Sequence, residues 1–452
     1  MLKNKLAFLL LIYLRELAKL QLAKIRPTVI GVTGSAGKTS LKNAIAAVLK
    51  DRRKVKVSYK ANSESGIPLN ILGLKPIDYS PLDWLRLSLL GPVKLITNWD
   101  GYEIYIAEMG IDSPHPPKNM EYLLTIVHPK VGVFLNVLPV HGEYFDQVVP
   151  KSLRDERQRR EKVMDAIAAE KGKLIESLPK QGIAVLNNDD PRVRNFATKT
   201  KAKVLTFATK RAADLTAKVR GTSLKGFRME VKEGKTIEKL QLSQLLDEHY
   251  AHTFLAAIAV GRSFNVSLSE CIRGLKQHFK LPKGRMGVIP GIQGTIILDS
   301  SYNASRETME SALRTLSLVA PKRKVAILGD MRELGKIAKL EHEEVAAVSA
   351  TTADLVITVG PKMRQWFVPR LLELGFPSRK LRSVLNPYAA LSIARRLIRQ
   401  EDTILIKGSQ NTLFLEIVTE GLMQNPKDAE GLLCRRGAFW DKKREELKKA
   451  KD

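Results

Sequence analysis

Seven residues, Gly34-Ser35-Ala36-Gly37-Lys38-Thr39-Ser40, stand between the β-rich run TVIGVT and the helix-forming run LKNAIAAVLK, and their types suit them to hold a polyphosphate. Glycines let backbone N–H groups converge on phosphate oxygens, a helix N-terminus adds positive potential, and Lys38 meets the terminal phosphates. The hydroxyl of Thr39 is suited to ligate Mg2+. The spacing departs from the common GxxxxGK[ST] pattern, because position 32 is Val and the nearby glycines are Gly31 and Gly34.

A carboxylate is the natural companion of such a loop. Glu108 closes the run YIAE, and the end of a parallel strand delivers its side chains to a ligand crevice. Its position therefore suits magnesium. His141 follows KVGVFLNV in the next loop, where it could bind a second metal or lie near the γ-phosphate. On spacing alone a single loop histidine is more often incidental than a ligand.

These residues need a sheet to carry them. Besides TVIGVT, the runs EIYIAEMG, KVGVFLNV, GIAVLNNDD and KVLTFAT read as strands separated by helical or loop segments, which predicts a mainly parallel sheet. Short alternating strands from Leu215 to Leu242 predict a β-hairpin edge to the same domain. Beyond the Pro/Gly cluster LPKGRMGVIPG, the runs TIILD, KVAILGD, DLVITVG and TILIKGS predict a second, smaller doubly wound domain. The expected division is an N-terminal amphipathic helix over 1–26, a central ATP-binding α/β domain over 27–282, a Rossmann-like domain over 283–423 and a charged helical tail over 424–452.

Length and composition agree with several packed domains. The chain has 452 residues, 44% hydrophobic and 27% charged, with no low-complexity tract. Lysine and arginine number 75 against 47 acidic residues, a net +28 that attracts polyanions. No basic run is interleaved with aromatics, so nucleic acid is not the expected partner. Cys271 and Cys434 stand alone, which excludes a disulfide framework or a structural zinc site and fits a reducing cytoplasm. The apolar run Leu6 to Leu14 is well short of the roughly 20 residues that span a bilayer. No small-residue cleavage site follows it. With Lys3, Lys5, Arg15, Lys19, Lys24 and Arg26 among its Leu and Ile positions, this helix suits either an anionic membrane surface or packing on the adjacent domain.

Taken together, the motifs resemble the Mur ligase family, whose phosphate loop is a short TGxxGKT/S. Further blocks carry the likeness in the expected order: ANSESGIPLNIL from Ala61, AEMGIDSP from Ala107, HPKVGVFLNV from His128, EKGKLIESLPKQGIAVLNNDDPRV from Glu170, then GRMGVIPG, LDSSYNAS, ILGDMRELG and ILIKGS. GDMRELG with SYNAS is most similar to the branch that adds D-alanyl-D-alanine to a muramoyl tripeptide.

The resemblance implies an ATP-dependent, amide-forming ligase with two Mg2+ ions, acting as a cytoplasmic monomer on a muramoyl peptide and D-alanyl-D-alanine. It implies that the loop Gly34–Ser40, with Lys38, binds ATP, and that Thr39, Glu108, His141 and Lys171 hold metal, Lys171 as a carbamate. It further implies that Arg285 and Asp299 meet the nucleotide when the C-terminal domain closes, and that Tyr302, Asn303, Asp330, Lys407 and Ser409 face the cleft. A different amide ligase of the folylpolyglutamate-synthase kind, or a nucleotide-binding scaffold at the membrane, stays open as an alternative.

Three departures carry expectations of their own. The likeness begins only at Thr28, so the family's uridine-binding domain is not expected. His249-Tyr250-Ala251-His252-Thr253 stands where the family places a histidine and asparagine motif against adenine, so the base should be held differently. His141 and Lys171 are thirty positions apart, and the added stretch KSLRDERQRREK, nine of its twelve residues charged, predicts a solvated helix.

Overall fold

A computed structural model describes residues 2–59, 61–409 and 413–449, with side chains from residue 7 onward; Lys3 and Lys5 lie outside the described side chains, and 450–452 outside the described chain. Among the described residues the chain forms two α/β modules, each built on one sheet.

The first sheet holds β1 (Thr28–Thr33), β2 (Val55–Val57), β3 (Ile104–Glu108), β4 (Val131–Phe134), β5 (Ile183–Asn187), β6 (Lys203–Ala208), β7 (Leu215–Ser223), β8 (Gly226–Glu233) and β9 (Thr236–Leu242). Their spatial order is β2-β3-β1-β4-β5-β6-β7-β8-β9. Pairing is parallel from β2 to β7, and β7, β8 and β9 form an antiparallel meander. Two apolar layers cover the parallel part: Leu41, Ile45, Phe254 and Ile258 pack on one face, Tyr105, Phe134, Ile167 and Leu174 on the other. Strands buried on both faces read as continuous apolar runs, which is why TVIGVT and VGVF were legible.

The second sheet holds β10 (Gly287–Pro290), β11 (Ile296–Ser300), β12 (Lys324–Gly329), β13 (Leu355–Val359), β14 (Leu381–Val384) and β15 (Thr403–Lys407), in the order β10-β11-β15-β12-β13-β14. Only β10 runs antiparallel to its neighbour. The last strand in sequence therefore lies between β11 and β12, and brings Lys407 beside Ser300.

The charged stretch from Lys151 is largely exposed, as expected, but not throughout. The helix Glu156–Glu176 starts within the charged stretch, yet Arg159 is buried against Asp146 and donates to the carbonyls of Pro150 and Leu153. Its neighbour Arg160 donates at 2.6 Å to both Glu307 and Glu341 of the second module. Charge density alone did not show that Arg159 and Arg160 turn inward to carboxylates, the one to Asp146 and the other to Glu307 and Glu341. In the tail, Arg435 is buried and makes a two-pronged pair with Glu416, while the helix Ala438–Lys449 buries none of its residues.

The N-terminal helix α1 (Leu2–Ile25) packs on the first module, so the packed alternative is what the fold adopts. Leu14 is enclosed with Leu69, Leu72, Leu74 and Leu87, and no described helix is long and apolar enough to cross a membrane.

Candidate active site

The phosphate loop joins β1 to α2 (Lys38–Leu49). Two glycines are obligatory in it. Gly34 and Gly37 have φ of +150° and +83°, and a Cβ on Gly37 would come within 2.8 Å of Leu135. The loop is braced from β4: the Asn136 side-chain oxygen accepts from the N–H groups of Ser35 and Ala36, at 3.0 and 2.9 Å. The Ser35 hydroxyl donates to the Leu138 carbonyl. Asn136 was missed among the candidate residues, although it lies within the block KVGVFLNV; only the neighbouring position of β4 shows its role.

Lys38 opens α2, with its ammonium 2.8 Å from the Gly34 carbonyl. Burial pulls its pKa down, and Arg285 adds to the effect against the opposing charge of Glu108. Glu108 reaches the loop because Val32 and Glu108 are paired in register across β1 and β3. Its carboxylate accepts from the Thr39 hydroxyl at 3.1 Å and from Lys42 at 2.9 Å. Burial opposes its charge, but Lys42 and Lys38, with hydrogen bonds from Lys42 and Thr39, outweigh it and keep the carboxyl below its ordinary range.

Lys42 is a second residue that sequence reasoning passed over, since one lysine in an amphipathic helix looks ordinary. It is 2% exposed and also donates to the Ser58 carbonyl at 2.6 Å. Removing one member of a buried ion pair leaves an uncompensated charge that costs about 3–5 kcal/mol. Lys42→Met is therefore expected to lower the melting temperature substantially, and to do so less in a Lys42→Met, Glu108→Gln double variant. Thermal unfolding of the four proteins checks this.

His141 begins a helical turn with φ of +60° and holds two carboxylates: Nε2 lies 3.4 Å from Asp112, and Nδ1 lies 2.5 Å from Glu333 of the second module. The Glu333 carbonyl also accepts from the Glu143 N–H at 2.9 Å, so the two modules meet directly beside the loop. Asp112 sits in the block AEMGIDSP and was not singled out.

Lys171 lies in the helix Glu156–Glu176, 2% exposed, with neither hydrogen bond nor ion pair among the described residues. Burial, reinforced by Lys38, pulls its pKa well below the ordinary lysine value, against weaker opposition from Asp112 and Glu170. The charges of Lys38 and Asp112 thus act on this amine, and burial favours its neutral, nucleophilic form over the ammonium.

The donor set fits a hard divalent cation. Thr39 and Glu108 supply a hydroxyl and a carboxylate beside the phosphate loop, Asp112 adds a carboxylate and His141 an imidazole nitrogen; Mg2+ is bound through one or two carboxylates plus substrate phosphates rather than by an all-protein cage. Among the described residues no three His, Cys, Asp or Glu side chains converge on one point.

Between the modules lies a cavity of about 400 Å³, lined by Gly37, Ser40 and Asn136 on one side and Arg285, Ser300 and Lys407 on the other. Arg285 stacks over the Tyr302 ring, 4.6 Å from its centroid. Lys407 donates to the Ser300 hydroxyl and the Asn303 carbonyl, and burial with the Arg285 charge brings its pKa down to about 7. His252 lines the cavity with its Nε2 2.8 Å from Asp189, and the Tyr250 hydroxyl is 3.1 Å from that of Ser40. These two contacts fix the His252 and Tyr250 rings in the cavity wall.

Not every expected residue faces this cavity. Asp299 is fully buried behind it, accepting from the Thr419 hydroxyl, and burial brings its pKa up to about 6. Strand alternation explains this: Ser300 faces the cavity, so Asp299 faces away. Asp330 accepts from the N–H groups of Lys362 and Met363, and Ser409 accepts from the Arg332 N–H, so both tie loops of the second module together.

Lys407 gives a test by pH. Between about 7 and 10.5 the unfolded chain binds one more proton than the folded one, so stability rises with pH across that window. Below pH 7 the buried ammonium carries its full penalty. Lys407→Met is thus expected to raise the melting temperature at pH 6, with a gain that shrinks toward pH 10; calorimetry without nucleotide reads it.

The profile "Mur ligase middle domain" matches residues 32–149 and 160–261, and "Mur ligase, glutamate ligase domain" matches 284–410. A UDP-N-acetylmuramoyl-tripeptide--D-alanyl-D-alanine ligase of Bacillus subtilis is 27% identical over 417 residues, covering 91% of this chain and 79% of the relative. The Escherichia coli enzyme of that name is 25% identical, covering 89% and 78%. Among solved structures, a MurF ligase from Thermotoga maritima in complex with ADP superposes with a TM-score of 0.71 at 25% identity, covering 93% of this chain and 84% of that one. A folylpolyglutamate synthase from Thermotoga maritima, 16% identical with a TM-score of 0.57, shares the fold.

Proposed function

Since this chain belongs to the Mur ligase family of ATP-dependent, amide-bond-forming enzymes, we propose that it joins D-alanyl-D-alanine to the terminal carboxyl of a muramoyl tripeptide in peptidoglycan precursor synthesis. The observation that carries this reading is the convergence of Lys38, Thr39 and Glu108 on one phosphate loop, whose Gly37 and Ser40 face Arg285 and Lys407 across the cavity.

A carboxylate is a poor electrophile, so it must first be activated. The peptide carboxylate attacks the γ-phosphorus of ATP, ADP leaves, and an acyl phosphate forms; the amine of D-alanyl-D-alanine then attacks the acyl carbon and phosphate departs. The chain's part is to position reactants and stabilise charge. The loop N–H groups and Lys38 hold the phosphates, and Arg285 and Lys407 add positive charge from the second module. Two Mg2+ ions would fit, one at Thr39 and Glu108 and one at His141 with a carbamate on Lys171, supplying charge neutralisation between the phosphates. Asp299 acts at one remove, holding β11 to Thr419 so that Ser300 keeps its place. The protein works as a monomer on the cytoplasmic side, where ATP is present.

The test measures ADP and phosphate release with both substrates, using UDP-linked and UDP-free muramoyl tripeptides. Release that requires both the tripeptide and D-alanyl-D-alanine is expected. Equal release without D-alanyl-D-alanine, or with L-glutamate in its place, would overturn the reading. The UDP-free arm shows whether the uridine moiety contributes to binding.

A further inference from the structure

The helix α4 (Pro81–Thr97) is apolar on two opposite sides. Its inner side is accounted for: Leu87 is fully buried, and Gly91 lies against Leu17 of α1 so closely that a Cβ there would come within 2.7 Å. The two helices are tied along their length, Tyr13 donating to the Ser88 carbonyl, Gln21 to that of Asn98 and Lys24 to that of Leu95. Among the described residues the outer side has no such partner. Leu82, Leu85, Leu89, Val93 and Ile96 recur at intervals of three and four, which places them on one stripe, and Trp99 continues it. All six are 51–78% exposed. Scattered exposed leucines are ordinary, but a contiguous stripe marks an interaction surface.

We propose that this outer face of α4, framed by the basic α1, docks the protein on an anionic membrane surface. Charge selects this occupant. Positions 2–26 and α4 together contain eight lysines and arginines against Glu16 and Asp83. Neither acid is free to repel lipid: Glu16 is paired with Arg15 and Lys19, and Asp83 is buried with Arg86. A net charge of +28 opposes association of the face with a second copy and favours an anionic sheet. Trp99 supplies the amphipathic ring favoured at headgroup depth, with the Lys24 ammonium 3.8 Å from its centroid. Helices of this kind lie in the plane of the interface and sink an apolar side into the headgroup boundary. Lys94, exposed on the same helix, can then reach lipid phosphates while the stripe enters the acyl region.

Flotation of the full chain with vesicles of phosphatidylglycerol and phosphatidylethanolamine, and with phosphatidylcholine alone, tests the proposal. Wild type is expected to float with the anionic vesicles and not with the neutral ones. Leu85→Glu, Leu89→Glu together should lower that partitioning roughly tenfold or more while soluble ATP turnover and melting temperature stay as in wild type. Ile96→Glu alone, on the same stripe, keeps the test valid if the double variant misfolds. Equal flotation of wild type and variants would assign binding to charge alone and overturn the role of the stripe. Absence of flotation, or a wild-type dimer by light scattering that Leu89→Glu dissolves, would overturn the membrane as occupant. Lys38→Ala should float as wild type does, so failure here is distinct from failure of the ligase reading.

Discussion

Replacing Lys38 with alanine is expected to reduce ATP turnover by about 10³-fold or more, with little loss of stability. Three features of its surroundings set the size. Lys38 is held at the start of α2 with its ammonium against the Gly34 carbonyl, within a loop whose φ angles at Gly34 and Gly37 keep the backbone N–H groups converging. It shares the site with the Glu108 carboxylate, which also interacts with Lys42. And Arg285 of the second module adds a second positive charge that acts on the same site. The stability effect is small because burial already disfavours the Lys38 charge in the folded protein. A coupled assay of ADP release, with calorimetry on the same samples, checks both halves. Undiminished ATP hydrolysis by Lys38→Ala would remove the phosphate site from the loop.

Lys171→Ala is expected to cost a comparable factor, for a different reason. Burial and the neighbouring Lys38 charge favour the neutral form of the Lys171 amine, and a neutral amine adds CO2 to form a carbamate with release of a proton. That change replaces a group which Lys38 repels with an anion which Lys38 attracts, and supplies oxygens for a divalent cation. Wild-type activity should therefore fall when CO2 is stripped from the buffer and return when bicarbonate is added. Lys171→Ala should be insensitive to both treatments and should regain part of its activity with acetate or formate. A carbamate resonance in the protein grown or soaked with 13C-labelled bicarbonate, absent from the variant, is the direct measurement. Wild-type turnover indifferent to CO2 would leave Lys171 as a plain buried amine.

Much of this site was readable along the chain because its parts are local. The phosphate loop is seven consecutive residues, and its strand and helix are recognisable from their own apolar periodicity. Glu108 was found because it ends a strand, and strand ends in parallel sheets face ligands. By contrast Lys42, Asp112 and Asn136 looked like ordinary residues, since each acts through a partner tens of positions away: Lys42 on Glu108, Asp112 beside His141, Asn136 on Ser35. Within the charged stretch from Lys151, Arg160 reads as solvated, and only contact with Glu341 shows why it is held against the second module.

Local sequence alone determined the α/β alternation, the two sheets and the grip on phosphate, because glycine torsions and apolar periodicity are properties of short segments. Tertiary structure decided the strand order that places β3 and β4 on either side of β1, the crossing of β15 between β11 and β12 that brings Lys407 to Ser300, and the exposed stripe of α4. Those features depend on which distant segments exclude water together. A leucine at a helical spacing is the same residue whether its neighbour in space is another leucine or the solvent.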